Sequence, residues 1–229
     1  MTSMALRTIG EISPVEYSGV LTSFLSDRKE SNRQDAARGL TKMAYDKSNK
    51  AIKKQLKSEK EPEVKAWLLR AAAATGPSDK KVITAIERAI TKDPETDVRV
   101  HAVVAAGVLE DEDAAHRLME KALEDKDPLV RSAAAYAMAN RRDAGLLPVL
   151  KAAVEVEEDG EALHWQELAI EVIANKRDLR DFKNFRSEVL GEQSAAEALR
   201  RAREGGLPGG LPGGFGGGEG GRAGDPGGR

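Results

Sequence analysis

The segment DPLVRSAAAYAM, residues 127–138, contains the signals that decide the fold. Asp127 can cap the N-terminus of a helix, and Pro128 suits the first helical turn, where its missing N–H needs no partner. Ala134 and Met138 stand four positions apart, so their side chains lie on one face of a helix. The segment therefore predicts a capped helix with one apolar face.

The same pattern occurs four times along the chain. Its copies start from a basic residue at Arg33, Lys65, Arg99 and Arg131, which lie 32, 34 and 32 positions apart. An apolar stripe recurs three and seven positions later, and its members are Ala36, Leu40, Leu68, Ala72, Ala102, Ala106, Ala134 and Met138. This period, with two helices in each unit, is typical of a helical solenoid. We predict an all-α, right-handed helical-repeat solenoid of about five helix pairs.

Composition divides the chain at residue 205. Residues 205–229 hold 14 of the 22 glycines and 3 of the 9 prolines, and they offer too little apolar surface to offset the entropy of ordering. We predict a repeat domain over residues 1–204 and a disordered Gly-rich tail over residues 205–229. Within the domain, Ser13 starts the first helix, and helices near residues 178–190 and 192–204 cap the array. A degenerate fifth copy spans residues 143–175, with Gln166 at the basic position.

The pattern D-P-x-V-R-x-x-A-A-x-A, strongest at residues 127–138, resembles the HEAT-like repeats of phycobilisome-lyase-type bacterial and archaeal proteins. In that family, the Asp before Pro and the Arg after Val form a ladder that ties adjacent repeats together. The resemblance implies this role for Asp93, Arg99, Asp127 and Arg131. Because such repeats serve many binding functions, the resemblance implies a fold and not a particular partner.

Helical phase marks a candidate binding surface on the second helix of each repeat. At 100° per residue, positions two, five and nine after each basic residue point away from the apolar stripe. In solenoids of this kind, the second helices line the concave surface. The predicted partner-binding residues, rich in types that anchor interfaces, are Arg38, Trp67, Arg70, His101, Val104 and Tyr136. The alternative is that these side chains pack between repeats.

Composition and motifs exclude several kinds of catalytic site. The chain has no cysteine, which excludes disulfides and thiolate metal ligands, and it has only 3 histidines. It contains neither a G-x-S-x-G nucleophile elbow nor a Gly-rich phosphate loop. HEAT-like deoxyhypusine hydroxylases carry paired His-Glu dipeptides, and this sequence has none. We therefore predict no enzymatic activity, no metal and no cofactor.

Charge and hydropathy bear on partners and location. The 36 basic and 38 acidic residues give a net charge of −2, which does not mark a nucleic-acid-binding protein. Lysines recur at three- and four-residue spacing between Lys47 and Lys60, a pattern that we interpret as a solvated outer helix face. The sequence shows no secretory signal and no apolar run of the length that a membrane span needs. We expect a soluble, cytoplasmic protein that does not bind membranes.

Three functional hypotheses follow. The favoured one is a non-catalytic scaffold or adaptor that binds another protein on its concave surface. The second is a lyase or chaperone-like subunit that handles a tetrapyrrole or similar prosthetic group. The third is binding of nucleic acid through the Lys47–Lys60 helix, in the way that HEAT-like alkylpurine glycosylases bind DNA. The scarcity of aromatic residues near these lysines argues against a pocket for a base.

Overall fold

Eleven α-helices occupy residues 15–192 in a computed structural model that describes residues 5, 6, 9 and 15–192. They are α1 Ser18–Phe24, α2 Glu30–Met43, α3 Asn49–Ser58, α4 Pro62–Thr75, α5 Lys80–Lys92, α6 Thr96–Ala106, α7 Glu112–Leu123, α8 Pro128–Arg141, α9 Leu147–Val156, α10 Gly160–Ile173 and α11 Lys183–Glu188. Single 3-10 turns precede four of them, at Val15–Tyr17, Asp46–Ser48, Ala144–Leu146 and Leu179–Phe182. The predicted start at Ser13 and the tail over residues 205–229 lie outside the described residues, as does almost all of the predicted helix over residues 192–204.

The first ten helices form five antiparallel pairs that stack in chain order. The second helices of the pairs (α2, α4, α6, α8 and α10) pack extensively on one another, whereas the first helices make few contacts with their counterparts. The second helices therefore form a closely spaced inner layer, and the first helices form the outer layer. No strand occurs in residues 15–192. The prediction of an all-α repeat solenoid is confirmed.

The apolar stripe of the inner helices forms the centre of the core. All eight of its predicted members are 0% exposed. Five of the eight are alanines, and such small side chains let neighbouring helices approach closely. The spacing of apolar residues in the sequence thus determines which face of each inner helix is buried.

The inner helices begin close to the predicted capping residues, with one shift. The Asp127 side chain accepts a hydrogen bond from the N–H of Leu129, so that it caps α8 as expected. In the third repeat, Asp93 and Pro94 do not start the helix, because α6 begins at Thr96 after Glu95. Two additional residues lengthen this turn and leave the acidic-Pro pair outside the helix.

The fifth pair has a different register from the predicted one. Asp159 caps α10, which begins at Gly160. In the other inner helices the basic residue stands four positions after the N-cap, and in α10 this position is held by Leu163. The assignment of Gln166 to the basic position is therefore wrong by one helical turn. The fifth copy lacks the proline that begins α4 and α8, so the sequence offered no firm reference point.

A ladder of ion pairs links each repeat to the next. Its four rungs are Arg33–Glu59, Lys65–Asp93, Arg99–Asp125 and Arg131–Glu157. Each acidic partner lies two residues before the N-cap of the next inner helix. The Arg131 guanidinium also donates to the backbone carbonyl of Asp125 at 2.9 Å, in the turn of its own repeat. Each arginine of this kind thus ties two successive turns together.

Asp127 lies beside a rung without forming the main contact. Nε of Arg99 donates to Asp125 at 2.9 Å, whereas the carboxylate of Asp127 is 3.8 Å from the same guanidinium. Asp127 instead accepts a 2.6 Å hydrogen bond from the hydroxyl of Thr96 in the preceding repeat. The residue therefore caps its own helix and also contacts its neighbour, while the acidic residue two positions earlier completes the rung.

Candidate partner-binding surface

Two guanidinium groups lie over the indole ring of Trp67, in the layer of inner helices. The Cζ atom of Arg38 is 5.0 Å from the centroid of the indole, and that of Arg70 is 4.7 Å from it. His101 meets the same ring edge-on, with 5.1 Å between ring centroids and an interplanar angle of 74°. Three consecutive inner helices, α2, α4 and α6, supply these four residues, which we call the Trp67 cluster.

The rings of the Trp67 cluster are largely covered. Trp67 and His101 are each 6% exposed, and the neighbouring Val104 is 8% exposed. Arg38 and Arg70 are half-buried. Helical phase predicted that these side chains lie on an open surface. The inner helices are so closely spaced, however, that the rings lie within the layer these helices form. Arg38 and Arg70 are therefore the least buried residues of the cluster, although only 13% of the Arg70 side chain is exposed.

Burial also fixes the charge state of the cluster. Burial, together with the positive charges of Arg70 and Arg38, lowers the pKa of His101 from 6.5 to about 3, so the imidazole is neutral near pH 7. Within the described part of the chain, Nδ1 of His101 and Nη1 of Arg70 are buried without a hydrogen-bond partner. Such unsatisfied buried atoms cost about 1–3 kcal/mol each.

The depressed pKa of His101 predicts a loss of stability in mild acid. The unfolded chain takes up a proton near pH 6.5 while the folded chain does not, so the stabilisation is complete above pH 6.5 and declines as the pH falls toward 3. Between pH 7 and pH 5, the contribution of this residue should fall by about 2 kcal/mol. Urea denaturation at both pH values should show a shallower pH dependence for His101→Phe than for the wild type. Val156→Ala, at the exposed end of α9, is the control and should retain the wild-type slope.

Tyr136 belongs to a second aromatic cluster, toward the C-terminal end of the array. Its ring lies 5.4 Å from the rings of both Phe182 and Phe185, and Trp165 stacks on Phe182 at 5.4 Å. Tyr136 is 6% exposed, and burial raises the pKa of its hydroxyl. The segment that follows α10 therefore covers this part of the inner surface, and Tyr136 packs against it.

Sequence reasoning did not single out the covering residues. Trp165 stands six positions after the N-cap of α10, which is the position of Trp67 in α4 and His101 in α6. The corrected register of α10 would have revealed it. Phe182 and Phe185 follow the last repeat and carry no periodic signal.

The covering segment ends with a carboxylate held by two arginines. Glu192 accepts hydrogen bonds from Arg70, on α4, and from Nε of Arg186 at 2.9 Å. Burial raises the pKa of Glu192, but Arg70 and Arg186 outweigh this and hold the pKa below its ordinary value. The carboxylate therefore stays ionised near neutral pH. The inner surface thus already binds an acidic group from a chain segment.

No group of three or more His, Cys, Asp or Glu residues in the described part of the chain is arranged to hold a metal ion. Among the helices of residues 15–192, none combines the length and the apolar character that a membrane crossing requires.

Several solved structures are similar to this chain. The complex of CpcE and CpcF of phycocyanin lyase from Nostoc sp. PCC7120 matches with a TM-score of 0.50 and 18% identity, over 75% of this chain and 73% of that one. A designed armadillo repeat protein matches with a TM-score of 0.41 and 18% identity, over 75% of this chain and 92% of its own. At 18% identity, the likeness to the phycocyanin lyase complex shows the fold alone. No curated protein sequence gives a significant match.

The family assignment rests on the sequence. The profile of HEAT repeats matches two overlapping stretches, residues 18–107 and 83–171. Together these stretches span the five helix pairs and most of the chain. The chain therefore belongs to the HEAT-repeat family.

Proposed function

We propose that this protein is a non-catalytic scaffold that binds a partner protein along its concave inner-helix surface. The Trp67 cluster is the observation that carries the proposal. Trp and Arg side chains supply much of the binding energy at protein interfaces. Two guanidinium groups held against one indole are already ordered, so they lose little conformational freedom when a partner arrives.

The contact with Glu192 supports a particular kind of partner segment. Arg70 binds the carboxylate of Glu192, and Leu190, two residues earlier, is 1% exposed. An apolar residue followed closely by an acidic one is therefore a combination that this protein already accommodates within its own chain. Charge-assisted hydrogen bonds from a guanidinium are among the stronger polar contacts in interfaces. A partner segment with an apolar and an acidic side chain would use the same chemistry by displacing Glu192 from Arg70.

Replacing Arg70 by alanine should weaken partner binding about 30-fold, which corresponds to about 2 kcal/mol. The full-length protein, immobilised, would capture its partner from an extract of its source cells, and the dissociation constant would then be measured with purified partner. Arg117→Ala is the matched control, because Arg117 lies on outer helix α7 and pairs with Glu87 of outer helix α5. Equal affinity of the Arg70→Ala variant and the wild type would contradict the proposed surface.

The same capture separates the other two hypotheses. A pigment that copurifies with the protein and absorbs visible light would favour the prosthetic-group function. A captured complex that nuclease and moderate salt both dissolve would favour nucleic-acid binding. Capture of a protein in stoichiometric amount supports the scaffold function if the complex survives nuclease and requires Arg38 and Arg70.

A further inference from the structure

A groove of about 1310 Å³ lies on the opposite side of the array, between outer helices α3 and α5. Inner helix α4 closes it from below. The floor of the groove is aliphatic and is formed by Ala51, Leu56, Leu69, Val82, Ala85 and Ala89. The groove is therefore distinct from the inner surface that contains the Trp67 cluster.

The walls of the groove are strongly basic. Nine basic and two acidic side chains line it, although the whole chain has a net charge of −2. Both carboxylates, those of Glu59 and Asp93, are already engaged in the ladder. Six basic side chains of the groove are exposed and form no ion pair within the described residues, and these are Lys50, Lys54, Lys57, Lys81, Arg88 and Lys92.

These charges form two facing rows. On α3, Lys50, Lys54 and Lys57 follow one another at spacings of four and three, so they share one side of the helix. On α5, Arg88 and Lys92 are likewise four positions apart. Two rows of like charge on either side of an apolar floor repel each other, and an acidic occupant would relieve that repulsion.

The length of the groove sets the size of the occupant. Helices α3 and α5 contain 10 and 13 residues. At 1.5 Å per residue, the walls extend for about 15–20 Å, which matches about three turns of an α-helix.

We propose that this groove binds an acidic amphipathic helix of a partner protein, about three turns long. The apolar stripe of that helix packs on the floor, and acidic side chains on both flanks pair with the basic rows. This is the helix-in-groove mode of recognition, and the charge of the walls selects the partner.

Nucleic acid matches the groove less well. No aromatic side chain stands among the described residues that line it, so bases have no ring to stack on. The aliphatic floor would remain uncovered beneath a phosphate backbone. The combination of apolar floor and basic walls favours an amphipathic helix.

The direct test uses three fluorescent probes and the full-length protein. The first probe is a 14-residue capped peptide with a leucine stripe flanked by glutamates at helical spacing. The second has the same composition in scrambled order, and the third is single-stranded DNA of 14 nucleotides. Fluorescence anisotropy should show that the patterned peptide binds at least tenfold more tightly than either of the others. Binding should weaken as salt is raised, because exposed charges are screened.

Variants of the protein locate the site. The double substitution Lys54→Glu/Arg88→Glu should weaken binding of the patterned peptide at least tenfold. The matched control is Lys126→Glu/Lys151→Glu, since both of these lysines are exposed and lie outside the groove. This control should bind the peptide as the wild type does. Circular dichroism of both variants should show unchanged helix content.

A third variant separates packing on the floor from attraction by charge. Ala85→Lys adds a positive charge and also obstructs the half-buried floor. If the helix packs on the floor, this variant should bind the patterned peptide several-fold more weakly. If charge alone attracts the peptide, the variant should bind it more tightly, and the proposal is overturned.

Other outcomes would also overturn the proposal. Equal affinity for the patterned and scrambled peptides would show a surface that attracts any polyanion. Tighter binding of the DNA would assign the groove to nucleic acid. Sedimentation of the protein alone, at the same salt, tests a second copy of the chain as the occupant. Self-association that Lys54→Glu/Arg88→Glu abolishes would mean that another copy fills the groove.

Discussion

Replacing Trp67 by alanine should lower the free energy of unfolding by about 3–5 kcal/mol. The indole is 6% exposed, and its removal leaves a cavity within the inner layer. The guanidinium groups of Arg38 and Arg70 would also lose the aromatic ring that they contact. Urea denaturation at pH 7, followed by circular dichroism, measures the change.

An exposed apolar residue provides the control for this substitution. Val156, at the end of α9, is 78% exposed, so Val156→Ala should change the free energy of unfolding by less than about 0.5 kcal/mol. The same variant also tests whether the indole itself contacts the partner. A Trp67→Ala variant of nearly wild-type stability that no longer binds the partner would show that the ring serves the interface and not the core.

Replacing Arg99 by alanine should destabilise the protein by about 3 kcal/mol. The side chains of Arg99 and Asp125 are only 6% and 11% exposed, so loss of the guanidinium leaves a largely buried carboxylate without its counter-ion. The backbone carbonyls of Asp93 and Pro94 lose a donor as well. Thermal and urea denaturation should both report the loss.

Two comparisons test the explanation for Arg99. Arg117→Ala removes a pair whose side chains are 56% and 43% exposed, and it should cost less than about 1 kcal/mol. The double variant Arg99→Ala/Asp125→Ala should lose less stability than the sum of its single variants, because removing both partners leaves no unpaired charge. Strict additivity would mean that the two side chains do not interact in solution.

The fold could be predicted from the sequence because its determinants are local. The stripe that includes Leu68 and Met138 follows from residue spacing within one helix, and the period follows from comparing one segment with the next. Where the proline signal was displaced or missing, the predicted helix start or register was wrong. Two additional residues after Pro94 moved the start of α6, and the absence of a proline after Asp159 moved the register of α10.

The sites depend on contacts between distant segments, which no local pattern encodes. Helical phase brought Trp67 and His101 to one surface, but it could not indicate how closely the inner helices pack. The cover over Tyr136 comes from Phe182 and Phe185, more than 40 positions further along the chain. Likewise, the spacing of the lysines on α3 indicated only a solvated helix face. The structure shows that Arg88 and its neighbours on α5 form the opposite wall of a groove.

The ladder also constrains how such an array can grow through duplication of its own gene segments. Arg131 and Glu157 now form the ion pair that joins the fourth and fifth pairs. If a copied unit were inserted between these pairs, its acidic residue would face Arg131 and its basic residue would face Glu157. A unit appended after the fifth pair would find Leu163 where the donor should stand. Internal copies would therefore form the ladder ion pairs from the moment they arose. Growth after the fifth pair would first require a substitution such as Leu163→Arg.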